Sequence, residues 1–260
     1  MRIRSLVSVG LVALVSAGVL GACSSSSSPS SSSSTKNQTL TVLAAASLTD
    51  TFTQLGKEFE AAHPGTKVTF SFGGSSTLAQ QIVQGAPADV FAAASPATMK
   101  TVSDAGDVVG TPAVFVKNQL VIAVPPGNPK GIQGLSDLTK PGLKVVLCDD
   151  AVPCGAAAQK ALTAANVKLT PVSKEQDVKA ALSKVSLGEA DAALVYRTDV
   201  KAAKGQVDGI EFPESAQAIN DYPIAALKAS KAPDLANQFV QFIQSPQAQQ
   251  ELIAAGFQAP

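Results

Sequence analysis

Along the chain, short β-rich runs alternate with segments whose apolar residues recur at helical spacing. Residues 39–44 (TLTVLA) predict a strand, after which Leu48, Phe52, Leu55 and Phe59 fall three or four apart, the spacing that lines one helix face. Residues 67–72 (KVTFSF) predict a second strand, Leu78 and Ile82 a second helix, residues 88–92 a strand and 96–105 a third helix. A new set begins at residues 119–124 (QLVIAV) and continues with 143–147 (LKVVL) and a helix from about 155 to 164. A helix near 175–187, a strand at 192–195, an extended piece at 223–226 and closing helices at 233–243 and 246–254 complete the pattern. Strands alternating with helices of about ten residues predict an α/β protein with mainly parallel sheets flanked by helices. No internal repeat is visible.

The N-terminal residues follow a different pattern. Arg2 and Arg4 precede an uncharged apolar run, residues 6–20, which is short for a membrane span and reads as the core of an export signal. It closes on Leu20-Gly21-Ala22-Cys23, which resembles the lipobox of bacterial lipoproteins. An ordinary export signal with an incidental cysteine is the alternative. The lipobox reading makes residues 1–22 a signal peptide and Cys23 the lipidated first residue of the mature chain. Residues 23–37 become a serine-rich linker, since residues 24–35 hold nothing apolar to bury. The domain is then extracytoplasmic and anchored to the cell membrane. That compartment is oxidising, which favours a Cys148–Cys154 disulfide over two free thiols.

Composition narrows the function further. Setting aside Arg2 and Arg4 leaves 18 basic against 20 acidic residues, so no basic surface suggests nucleic acid. Tryptophan is absent and aromatics make up 5%, so Ala, Val and Leu must fill the core. His63, the only histidine, stands in AAHPG at a predicted helix end and is expected to face solvent. No Ser-His-Asp triad or histidine-rich metal site can be assembled around it. Arg197 is the only arginine of the mature domain, so a carboxylate clamp built on arginine forks has one candidate.

Three strand-to-helix junctions share one design. They are Ala44-Ala45-Ala46-Ser47-Leu48, Phe72-Gly73-Gly74-Ser75-Ser76-Thr77-Leu78, and the loop CDDAVPCG, which ends at Pro153-Cys154-Gly155. Helix N-termini attract anions, glycines admit close approach, and serine hydroxyls add donors. Ser47 and Ser75 could each be a simple N-cap, but three such junctions at the carboxyl ends of strands mark the edge where α/β sheets bind ligands. Neither glycine turn is a nucleotide fingerprint. An anion held by neutral donors is the expectation.

The runs TVLAAASLTD, FGGSSTLAQQIxxGAPADVF, VPCG and ALVYRTD occur in an order that resembles the molybdate-binding (ModA) family of bacterial ABC importers, over residues 40–257. The resemblance implies a two-lobe type II periplasmic binding fold with two crossing hinge strands. Residues 38–118 and 223–260 would form lobe I and residues 119–222 lobe II. It implies no enzyme activity and no cofactor. The ligand is molybdate or tungstate, and the partners are an ABC permease and its ATPase, with the carrier acting as a monomer. It puts hydroxyl donors at Ser47 and Ser75, with the Ser75 N–H contributing too, backbone N–H donors at Cys154 and Val178, and the phenol of Tyr196. Val178 carries no signal of its own, and Tyr196 could instead be a packing residue. A donor-only shell suits a dianion whose oxygens only accept, whereas hydrogen phosphate carries a proton that wants an acceptor. Any molybdenum is bound only as the oxyanion.

Sulfate or another tetrahedral oxyanion is the alternative ligand. A ferric carrier would want more tyrosine or carboxylate ligands than Tyr196 and Tyr222 offer. The remote alternative is an exported thiol–disulfide or metal enzyme using Cys148 and Cys154, whose spacing is wider than C-x-x-C and which lacks a nearby histidine. Where the family commonly has alanine this chain has Cys154, so the cysteines read as a brace on the ligand loop. Asp149 and Asp150 are expected to be exposed loop carboxylates, and Arg197 a solvent-facing charge.

Overall fold

The structure, a computed structural model, describes residues 38–260, so the signal peptide, Cys23 and the serine linker lie outside the described residues. In chain order it runs β1 (Gln38–Ala45), α1 (Thr49–Ala62), β2 (Thr66–Gly73), α2 (Ser75–Val83), β3 (Val90–Ala92), α3 (Pro96–Asp104) and β4 (Ala113–Asn118). Then come β5 (Leu120–Val124), β6 (Val145–Cys148), α4 (Pro153–Ala164), β7 (Ser173–Glu175), α5 (Val178–Ser186), β8 (Ala192–Tyr196), α6 (Arg197–Ala202) and β9 (Asp208–Ile210). The chain finishes with β10 (Asn220–Ala226), α7 (Pro233–Ile243) and α8 (Pro246–Ala254).

Local chemistry explains where the helices start. Ser95 and Ser245 accept hydrogen bonds from Thr98 N–H and Ala248 N–H, each followed by proline at the first helical position. That pairing satisfies an orphan N–H and presets φ. Asp177 caps α5 in the same way, accepting from Ala180 N–H at 3.0 Å. The cap explains why α5 begins at Val178, about three residues later than the apolar pattern predicts. Residues 173–175 instead form β7, paired with β6.

The strands make two five-stranded sheets, ordered β2-β1-β3-β10-β4 and β7-β6-β8-β5-β9. The expected parallel character is confined to one trio in each sheet: β2, β1 and β3 pair in parallel, as do β7, β6 and β8. The other pairings, of β10 with β3 and β4 and of β5 with β8 and β9, are antiparallel. The cause is the chain's path between sheets. It leaves the first sheet at Asn118, enters the second at Leu120, and returns along β10, which runs opposite to the trio it joins.

The first sheet is buried on both faces, and alternation along β1 divides its side chains. Leu40, Val42 and Ala44 pack with Phe52, Leu55 and Phe59 of α1 and with Phe239 and Leu252 of α7 and α8. Leu43 points the other way, into a cluster with Leu78 and Ile82 of α2 and Met99 of α3. The second sheet shares one core with α4 and α5, which includes Leu147, Val195, Ala158 and Leu182. The result is two α/β lobes joined by crossing strands. Among the described residues, no helix is long and apolar enough to cross a membrane.

Candidate functional site

The carboxyl ends of both parallel trios face one cavity between the lobes. Lobe I contributes Ala45, Ala46 and Ser47 after β1, Gly73, Gly74 and Ser75 after β2, and Ala94 after β3. Lobe II contributes Val152, Pro153 and Cys154 after β6, Asp177 and Val178 after β7, and Tyr196 at the end of β8. All five residues singled out by the resemblance therefore meet at one place. Only about 20 Å3 of the cavity is open to the centre of a water-sized sphere, room for a compact ion and not for an amino acid or sugar.

Backbone donors converge there. The first intrahelical bonds of α2, α4 and α5 come from Leu78, Ala156 and Ala181, to the carbonyls of Gly74, Val152 and Asp177. The N–H groups of Ser75, Cys154 and Val178 precede them and have no acceptor within their own helices. Three helix N-termini thus place their positive ends at the cavity wall. Among the described residues, no lysine, arginine or histidine lines the cavity, and the one carboxylate there, Asp177, is engaged in capping α5.

Three hydroxyls complete the lining. Ser75 Oγ accepts from Ala94 N–H at 3.0 Å, Ser47 Oγ pairs with the Tyr222 hydroxyl at 2.9 Å, and Tyr196 Oη accepts from Asn220 Nδ2 at 2.6 Å. Neither serine is an N-cap: Gly74 precedes α2 in that position and Leu48 precedes α1. Burial raises the Tyr196 phenol well above its ordinary range, so it stays protonated and able to donate.

The loop CDDAVPCG sorts its side chains by role. Cys148 and Cys154 form a disulfide with Cα atoms 5.8 Å apart, both cysteines buried in the lobe II core. Reactive thiols sit in exposed, electropositive surroundings, which this pair does not share. Asp149 accepts from Ala151 N–H at 2.9 Å, while Asp150 pairs with Lys174 and Gln159. Neither aspartate lines the cavity. A Cβ on Gly155 would collide with the Asp149 carbonyl, so only glycine lets the loop close over the helix start.

Other candidates lie elsewhere. Arg197 forks onto Glu211, with both bonds at 2.9 Å, outside the cavity. His63 does end α1, but it is half-buried and stacked on Phe59 with ring centres 3.9 Å apart, so the solvent-facing expectation needs correction. Its Nδ1 lies 2.9 Å from the Phe59 carbonyl. Among the described residues, no group of three or more His, Cys, Asp or Glu is placed to hold a metal ion.

The lobes touch across the cavity mouth. Ser76 Oγ donates to the Ala151 carbonyl at 2.6 Å, and Lys179 Nζ reaches Asp50 at 2.7 Å. A Cβ on Gly74 would collide with the Gln176 carbonyl. Sequence reasoning missed Gly74 as a point of lobe contact. It also missed Asn118, Asn220 and Tyr222 behind the hydroxyls. The one available signal was two asparagines, poor strand formers, at the ends of apolar strands.

A family model described as bacterial extracellular solute-binding protein matches residues 40–258. The chain belongs to this family. Among curated relatives of this solute-binding protein, the molybdate-binding protein ModA of Mycobacterium tuberculosis is 44% identical over 255 residues, covering 97% of this chain and 98% of that protein. The resemblance carried by the motifs thus extends over nearly the whole chain. The solved periplasmic molybdate-binding protein of Azotobacter vinelandii superposes with a TM-score of 0.74 at 23% identity, covering 85% of this chain and 99% of that one. The sulfate-binding protein SubI of Mycobacterium tuberculosis does so at 0.72 and 22%, covering 85% and 87%. At those identities the two structures establish the two-lobe fold alone.

Proposed function

We propose that this protein captures molybdate, and tungstate with it, between its lobes and presents it to the permease and ATPase of an ABC importer. The observation that carries the reading is a compact cavity without a cationic side chain, where three helix N-termini and three protonated hydroxyls converge. The 44% identity to a protein named for molybdate binding supports the choice of anion.

In this reading the oxyanion accepts from the hydroxyls of Ser47, Ser75 and Tyr196 and from the N–H groups of Ser75, Cys154 and Val178. Hydrogen bonds to a charged group contribute about 1.5–3 kcal/mol each. Several of them reach the roughly 8–12 kcal/mol of micromolar to nanomolar binding after the losses of association. Donors from both lobes make the anion a bridge, so binding favours the closed state. Residues 38–118 with 220–260, and residues 119–219, would move as the two bodies, a division shifted by three residues from the expected one because β10 pairs with β4 from Asn220 onward. The Cys148–Cys154 staple preorganises the α4 donors, and a lipid on Cys23 would hold the monomeric carrier at the membrane.

Thermal melts with millimolar molybdate, tungstate, sulfate and phosphate test the reading, with a large upward shift expected for the first two only. Equal shifts with all four would remove the selectivity. Replacing Ser47 and Ser75 together by alanine should abolish the molybdate shift while leaving the unliganded melt near its original temperature. Retained binding would move the site elsewhere.

A further inference from the structure

Each cavity hydroxyl has a hydrogen-bond partner behind it. Ser75 Oγ accepts from a backbone N–H, that of Ala94, so the direction of that bond is fixed. The Asn220 amide is also fixed: Nδ2 lies 3.2 Å from the Pro153 carbonyl, which can only accept, and 2.6 Å from Tyr196 Oη. Tyr196 must therefore accept from Asn220, leaving its own proton for the cavity. Asn118 Oδ1 accepts from Gln119 N–H at 3.0 Å, which turns its Nδ2 toward Thr198 at 2.8 Å and the Tyr222 hydroxyl at 3.4 Å. The Tyr222 hydroxyl, which accepts from Asn118, shares a 2.9 Å bond with Ser47 that either hydroxyl can donate; when Tyr222 donates, the Ser47 proton is free for the cavity. The two asparagines face each other in register across the crossing strands β4 and β10.

We infer that Asn220, and Asn118 acting through Tyr222, are positioning residues that turn the protons of the cavity hydroxyls toward the anion and so set selectivity by its protonation state. The inference rests on the oxyanion reading above and adds to it the residues that impose its polarity. A fully deprotonated oxyanion finds donors on every side. Hydrogen phosphate brings a P–O–H that must compete for the lone pair left on each hydroxyl oxygen, since each already holds a bond within the protein. Such a mismatch leaves a buried donor unpaired, which a low-dielectric site penalises heavily.

The experiment is competition calorimetry with molybdate and phosphate at about pH 8, where both are dianions, on the wild type, Asn220→Asp and Tyr222→Phe. An aspartate accepts the Tyr196 proton and frees the phenol oxygen to accept from the ligand. Its charge repels both dianions alike, so the molybdate-to-phosphate affinity ratio isolates the polarity. The ratio is expected to fall by about tenfold or more in Asn220→Asp, the equivalent of one reversed hydrogen bond. Tyr222→Phe introduces no charge and frees Ser47 to turn, so it should lower the ratio by roughly threefold to tenfold. If Asn220→Asp does not fold, Tyr222→Phe decides alone. A ratio within about twofold of wild type in every folded variant overturns the inference. A wild type that does not bind molybdate overturns the oxyanion reading instead.

Discussion

Asp199, the third residue of α6, accepts the Tyr196 N–H at 3.1 Å on one oxygen, while the other has no hydrogen-bond partner. Lys179 Nζ lies 3.8 Å from that second oxygen. Burial, the largest cause, and the charges of Asp50 and Asp177 push this carboxyl up from its ordinary 3.8 to about 7, against the pull of Lys179 and the Tyr196 N–H. Between those two values the folded state holds the proton more tightly than the unfolded chain, so stability falls as pH rises through that window. Asp199→Asn keeps an acceptor for Tyr196 N–H and removes the buried charge. It should raise stability at pH 8 by roughly 1–3 kcal/mol and change little near pH 4, measured by urea denaturation at both values. Equal effects at the two pH values would mean the charge is not the cause. At this scale Ser47 and Ser75 were legible from their strand-end positions, while Tyr196 entered only through the family resemblance. Asn118 and Asn220 were not, because a buried asparagine gains meaning only from what its amide faces.

The junction of β6 and α4 shows how an element is tuned for its task. Pro153 starts the helix, Gly155 lets the loop pass over it, and the disulfide ties the strand end to the first turn. Closing so short a ring restricts the unfolded chain by about 2 kcal/mol. Replacing Cys148 and Cys154 together by alanine should cost about that much in denaturant titrations and weaken molybdate binding a few-fold in calorimetry. Unchanged affinity would make the staple a device for stability alone. Elements with a strong apolar period, such as α1, α7 and α8, were predicted closely. β7 (SKE) and β9 (DGI) were not, since they have almost no pattern and exist by pairing with β6 and β5. The six-residue α6 was missed for a similar reason, and β4 because it runs into β5 with only Gln119 between. The apolar run across residues 113–124 conceals a change of sheet.

Across the whole molecule, the lobes meet around the cavity mouth at Ser76, Lys179 and Gly74. A methyl group on Gly74 would overlap the Gln176 carbonyl of the other lobe, while each lobe's own core would be untouched. Gly74→Ala should therefore leave the unliganded melt nearly unchanged and weaken molybdate binding by roughly 100-fold, about 2.7 kcal/mol. Small-angle scattering should show the variant failing to compact with ligand. A large loss of unliganded stability would instead place the strain within lobe I. The Lys179–Asp50 bridge is half-exposed, and such pairs contribute little, so closure depends on shape and ligand more than on this ion pair.

By itself the sequence determined the α/β class, because apolar periodicity records which faces must be buried. It also pointed to a donor-lined anion site, since serines and glycines at strand ends and the scarcity of arginine are properties of residue type and order. The tertiary structure alone decided that six strand ends from two sheets meet at one cavity, that Gly74 lies against Gln176, and that two hinge asparagines stand behind the cavity's hydroxyls. Those relations join residues distant along the chain. Their physics lies in distance and hydrogen-bond direction, which no local pattern encodes.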